Sequence, residues 1–119
     1  MLASTALTLT VGGPAAVATP QVPTGISDTA VVQVREGSFF IVLQRYRFRP
    51  GAVQFRIKNV GWHRHALSVR GAGVRSTSAV IEPGERTTLT VALKKGRYLL
   101  WCPVGHHRQR GMWTWIWAR

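Results

Sequence analysis

Two short stretches of this chain hold all four of its histidines, its single cysteine and one of its two methionines. Cys102-Pro-Val-Gly-His106-His107-Arg-Gln-Arg-Gly-Met112 offers a thiol, two imidazoles and a thioether within eleven residues. Upstream, Asn59-Val-Gly-Trp-His63-Arg-His65 carries the other two imidazoles. A metal that cycles between one soft and one borderline oxidation state needs donors of both kinds, and a His₂Cys set with a weak axial Met is the arrangement that copper uses for electron transfer. Zinc is the chemical rival for Cys and His. Thioether is a poor zinc ligand, however, and structural zinc takes more than one Cys or paired short spacings, so Met112 favours copper. One cysteine excludes an intramolecular disulfide, and a lone thiol outside the cell needs burial or a metal to protect it.

These donors need a frame that holds two separated stretches together. Segments rich in β-branched and aromatic residues recur at 30–34, 39–43, 53–58, 66–69, 78–81, 87–93, 97–102 and 113–118. Pro50-Gly51, Gly71 to Gly73, Pro83-Gly84 and Lys95-Gly96 punctuate them. In Val53-Gln-Phe-Arg-Ile-Lys58 and Thr88-Leu-Thr-Val-Ala-Leu93 apolar residues fall on one face and polar ones mostly on the other, as in half-buried antiparallel strands. No helical period of useful length intervenes, so the expectation is an all-β sandwich of about seven to eight strands, with the cysteine loop joining the last two. His63 and His65, two apart, are expected to share a strand face.

The chain has 119 residues, enough for one domain, expected over 29–119. Residues 1–18 carry no charge and end in Ala16-Val-Ala18, which resembles a secretory leader with a small-residue cleavage site but lacks the basic start of one. Residues 19–28, with Pro20, Pro23 and Gly25, read as a linker. Export to the periplasm, cell surface or medium follows from that reading. A membrane span does not, for no run of about 20 apolar residues is unbroken.

From Pro50-Gly-Ala-Val-Gln-Phe55 through Asn59-Val-Gly61 and His65, then Ile81-Glu-Pro-Gly84, Gly96-Arg-Tyr98 and the Cys102 to Met112 loop, the chain resembles the cupredoxins, the plastocyanin and azurin superfamily, over about residues 30–118. The resemblance implies a Greek-key sandwich and one copper ion held by His65, Cys102, His107 and Met112. His106 rivals His107, because two histidines follow Gly105 where the relatives have one, and His63 rivals His65. Ala66 stands where many relatives place a polar residue that braces the loop. The resemblance further implies a one-electron carrier rather than an enzyme, with copper delivery, or metal-free binding of an anionic partner, as alternative functions.

Sixteen Lys and Arg against four acidic residues give a formal charge of +12. Such a field speeds encounter with negative partners of any kind. The basic residues are scattered rather than gathered in an arm, which disfavours specific nucleic-acid binding. Arg64, Arg108 and Arg110 flank the expected ligands and would suit an acidic docking surface on a redox partner meeting a monomer. A membrane surface is the other anionic candidate. Scattered carboxylates offer no acid–base pair for catalysis. Trp113, Trp115 and Trp117 alternate, so they share one face; buried core is the expectation for such a stripe, and an exposed aromatic patch that docks a partner or lipid headgroups, with Arg119 beside it, is the other reading.

Overall fold

The structure is a computed structural model that describes residues 29–119. The expected leader and linker, 1–18 and 19–28, lie outside the described residues. Nine strands form two mixed sheets: β1 (Ala30–Gly37), β2 (Phe40–Leu43), β3 (Arg47–Phe48), β4 (Gly51–Asn59), β5 (Ser68–Gly71), β6 (Val74–Thr77), β7 (Arg86–Leu93), β8 (Gly96–Trp101) and β9 (Trp113–Ala118). The first sheet runs β2-β1-β4-β7 and the second β3-β9-β8-β5-β6. The chain crosses between them after β2, β3, β4, β6 and β7, which is the Greek-key sandwich expected. Among the described residues no helix is long and apolar enough to cross a membrane.

Alternation explains the packing. In β4 the inward side chains Val53, Phe55 and Ile57 are buried, and in β7 so are Leu89, Val91 and Leu93. The antiparallel register sets Val53 beside Val91 and Phe55 beside Leu89, so their side chains add to one apolar layer. Val32 and Val34 of β1 extend it through a parallel pairing with Phe55 and Ile57. Tyr98, Leu100 and Ile116 close the interior from the second sheet. Tyr98 reaches out of this core to bind its own approach: its hydroxyl donates to Lys94 O and accepts from Lys94 N–H, both at 2.7 Å.

Three expectations need correction. The strand placed at 78–81 is absent and β6 lies earlier, at Val74–Thr77. Ala72 and Gly73, at φ 42° and 79°, make a two-residue turn between the paired Gly71 and Val74, so the chain reverses at once. Residues 78–81 instead run beside the 65–67 segment, where Ser78 Oγ accepts from Leu67 N–H at 2.9 Å and Ile81 bridges His65. Secondly, β3 has two residues, too few for any period to register. Thirdly, Trp113, Trp115 and Trp117 do not form core. They point outward from the second sheet, while Ile116 and Ala118 between them fill the interior.

Candidate metal centre

One end of the sandwich gathers the donors. β4 ends at Asn59, whose buried side chain organises the turn that follows. Asn59 Nδ2 donates to His63 O at 2.7 Å and to Ile81 O at 3.1 Å, and Oδ1 accepts from Gly61 N–H at 2.9 Å. Gly61 lies so close to β1 that a Cβ there would sit 2.9 Å from Gly37 Cα. The turn then delivers His65 to a single bridge with Ile81, N–H to O in both directions at 3.1 and 2.8 Å. His65 is thus fixed by its own backbone and is fully buried.

β8 supplies the thiol. Cys102 follows its last residue, is fully buried, and donates its N–H to Met112 O at 3.1 Å, closing the loop at its base. Within the loop His107 N–H donates to Val104 O, and Met112 N–H donates to His107 O at 3.2 Å. A short 3₁₀ turn, Arg108–Arg110, follows His107, and Gly111 ends it at φ 101°, a conformation that costs glycine little. The loop is therefore closed by its own backbone.

The Nδ1 atoms of His65 and His107 lie 3.8 and 3.6 Å from Cys102 Sγ, and the three donor atoms fall within 4.8 Å of one another. Met112 is fully buried in the same core cluster as Cys102. His106 is exposed and outside this group. His63 is also outside it, since 61–63 is a bend rather than strand, and the two histidines do not share a strand face as expected. Its Nδ1 lies 2.9 Å from Ser38 Oγ and its ring stacks on Phe39, 5.4 Å between centroids. Phe39 also meets His107 edge-on at 4.9 Å. A thiol, two imidazoles and a buried thioether, gathered at one end of the sandwich, fit one copper ion.

The surroundings of the site keep its imidazoles unprotonated, with their lone pairs free. Burial, then the positive charge of His107 and His63, pushes His65 down to about 4, so it is a neutral ligand at pH 7. His107 is lowered by burial and by His63 and Arg110. Burial raises the Cys102 thiol; the backbone N–H groups of Ala66 and Val104, which bond the sulfur, pull it back in part. A bound cation reverses the thiol's balance, because the thiolate is the ligand.

Glu36 was missed as a feature of this end. It is fully buried near the end of β1, both carboxylate oxygens lack partners among the described residues, and burial raises it to about 8. Its charge acts on the Cys102 thiol. Period two along Val32, Val34 and Glu36 was the available signal, since all three share the inward face. Of the flanking arginines, Arg64 lies 3.7 Å from Glu82 on the surface, Arg108 stands 5.2 Å over the Trp101 ring and Arg110 5.0 Å over Phe39.

No family model matches the chain, and no curated protein matches its sequence. Solved structures do match in fold. A dithionite-reduced auracyanin from the photosynthetic bacterium Roseiflexus castenholzii superposes with a TM-score of 0.63 at 14% identity, over 76% of this chain and 97% of that one. Auracyanin B gives 0.62 at 15% identity, over 85% and 93%. Auracyanin A, a "blue" copper protein from the green thermophilic bacterium Chloroflexus aurantiacus, gives 0.59 at 16%, over 76% and 99%. At these identities the likeness is one of fold.

Proposed function

We propose that this chain, which has the cupredoxin fold, is a blue-copper protein that carries single electrons, with His65, Cys102, His107 and Met112 as ligands. The observation that carries the reading is the convergence of Cys102 Sγ with two Nδ1 atoms at 3.6 and 3.8 Å, beside the buried Met112. Copper bound there supplies a one-electron cycle between Cu(I) and Cu(II). The chain's part is to hold both oxidation states in one geometry. His65 is clamped by the Ile81 bridge, Cys102 by Met112 O and Met112 by His107 O. The N–H groups of Ala66 and Val104 spread the thiolate's charge.

Burial of His65, Cys102 and Met112 excludes water from three ligands, whereas His107 is half-buried and is the ligand nearest solvent. A partner therefore approaches His107 most closely, past Arg108 and Arg110, and an acidic docking surface suits their charge. The fold likeness to the auracyanins, one of them a "blue" copper protein, supports the copper reading, and the scattered carboxylates, with no acid–base pair among them, favour a carrier over an enzyme.

Voltammetry of the copper-loaded full-length protein tests this reading. The expected result is a reversible couple of one electron per copper that survives repeated cycling with an excess of a Cu(I) chelator. Loss of copper on the first reduction would reassign the chain to metal delivery.

A further inference from the structure

Four of the chain's five tryptophans lie on one surface, the outer face of the second sheet. The register arranges them in rows. Trp113 pairs with Trp101, Trp115 with Leu99, and Trp117 with Arg97. Arginines continue these rows on both sides: Arg47 pairs with Trp117 at one edge, and Arg70, next to Leu99, pairs with Arg75 at the other. Arg97 stacks 4.1 Å over the Trp115 ring, and Arg108 covers Trp101.

Negative charge is missing from this face. Of the three acidic side chains among the described residues, Glu36 is in the interior, and Glu82 and Glu85 lie on the turn before β7, where Glu82 meets Arg64. The outer face of the first sheet differs. It is basic through Arg35, Arg56, Lys58 and Arg86, but carries no indole.

We propose that the outer face of the second sheet docks flat on a bilayer surface rich in anionic lipid. Indole rings settle at the level of the headgroups, apolar body inward and N–H towards the wet side, and arginine forks match phosphate oxygens. Each basic side chain near an anionic leaflet adds to the attraction. A single-stranded nucleic acid is the competing polyanion, but it needs open ring faces for its bases to stack on. Here the guanidinium groups of Arg97 and Arg108 already occupy one face each of Trp115 and Trp101, two of the four rings, which leaves fewer open faces for bases than the count of indoles suggests. Docked this way, the sandwich lies on its side. The inference does not depend on copper.

Co-sedimentation of the full-length protein with vesicles, read together with tryptophan emission, is the test. Vesicles of phosphatidylcholine alone are compared with an equimolar mixture of phosphatidylglycerol and phosphatidylcholine. The wild type is expected to bind the anionic vesicles with a blue-shifted emission and to leave the neutral ones. Arg70→Glu with Arg75→Glu lowers the partition constant about tenfold or more, while Arg56→Glu with Arg86→Glu, an equal change of charge on the other sheet, lowers it by less than about threefold. Trp113→Ala, at a side chain that is 48% exposed and so removable without opening the core, costs about tenfold. Every variant keeps the same N-terminal residues, so a difference between them belongs to the faces. Equal losses from the two charge reversals, an unshifted emission, or wild type that ignores anionic vesicles would overturn the proposal. So would displacement from the vesicles by a single-stranded oligonucleotide whose own binding is lost in Trp113→Ala.

Discussion

Replacing Glu36 by Gln should stabilise the copper-free protein by an amount that grows with pH. The carboxyl is fully buried without a partner among the described residues, and its folded value of about 8 stands against 4.5 when it is free. Below pH 4.5 it is protonated in both states and adds no pH dependence. Between 4.5 and 8 the unfolded chain releases its proton while the folded chain keeps it, so folding stability falls as pH rises, and the fall ends above 8. The loss is roughly 3 kcal/mol at pH 7 and about 5 kcal/mol by pH 9. Gln has the same shape and no proton to release. Urea unfolding of wild type and Glu36→Gln at a series of pH values, each without metal, gives a difference free of the other titrating groups. That difference should be within about 1 kcal/mol of zero at pH 4 and rise to roughly 3 kcal/mol at neutrality. A difference that stays flat from pH 4 to 9 would show that Glu36 ionises in the fold as it does in water, and the burial argument would fail.

The histidine side of the site predicts the opposite slope. His65 takes a proton in the unfolded chain near 6.5 but in the fold only near 4, so metal-free stability should drop by roughly 3 kcal/mol as pH falls through that window, and His65→Gln should flatten the slope. Asn59→Ala removes three hydrogen bonds that shape the turn before His65, and should cost about 2 to 4 kcal/mol in urea unfolding together with a weaker hold on copper in a chelator competition. Gly61→Ala pushes a methyl group against Gly37 Cα and should cost about 1 to 3 kcal/mol in the same unfolding assay; an unchanged midpoint would mean that the two segments part freely.

The metal loop was the most legible part of the chain because its donors are local. Cys102, His107 and Met112 lie within eleven residues, and no long-range register can change that order. The alternation in β4 and β7 was legible for a similar reason, since apolar and polar residues there differ sharply and only one face can go inside. In β9 both faces are apolar enough to be core. Trp113, Trp115 and Trp117 compete with Thr114, Ile116 and Ala118, and the pairing with β8, which turns Tyr98 and Leu100 inward, decides for the smaller set. β6 was misplaced because the tight turn at Ala72-Gly73 leaves no loop for a reader to discount. Glu36 escaped because a lone carboxylate is expected in water, and only the extension of β1 to Gly37 carries it inside.

Titration of the full-length protein with Cu(II), followed by visible absorption and electron paramagnetic resonance beside Cys102→Ser, decides whether the thiolate of Cys102 holds a copper ion. An intense thiolate-to-copper charge-transfer band with a narrow copper hyperfine splitting, saturating at one equivalent and absent from the variant, is the expected result. A colourless complex, or copper binding that survives the loss of Cys102 unchanged, would contradict it.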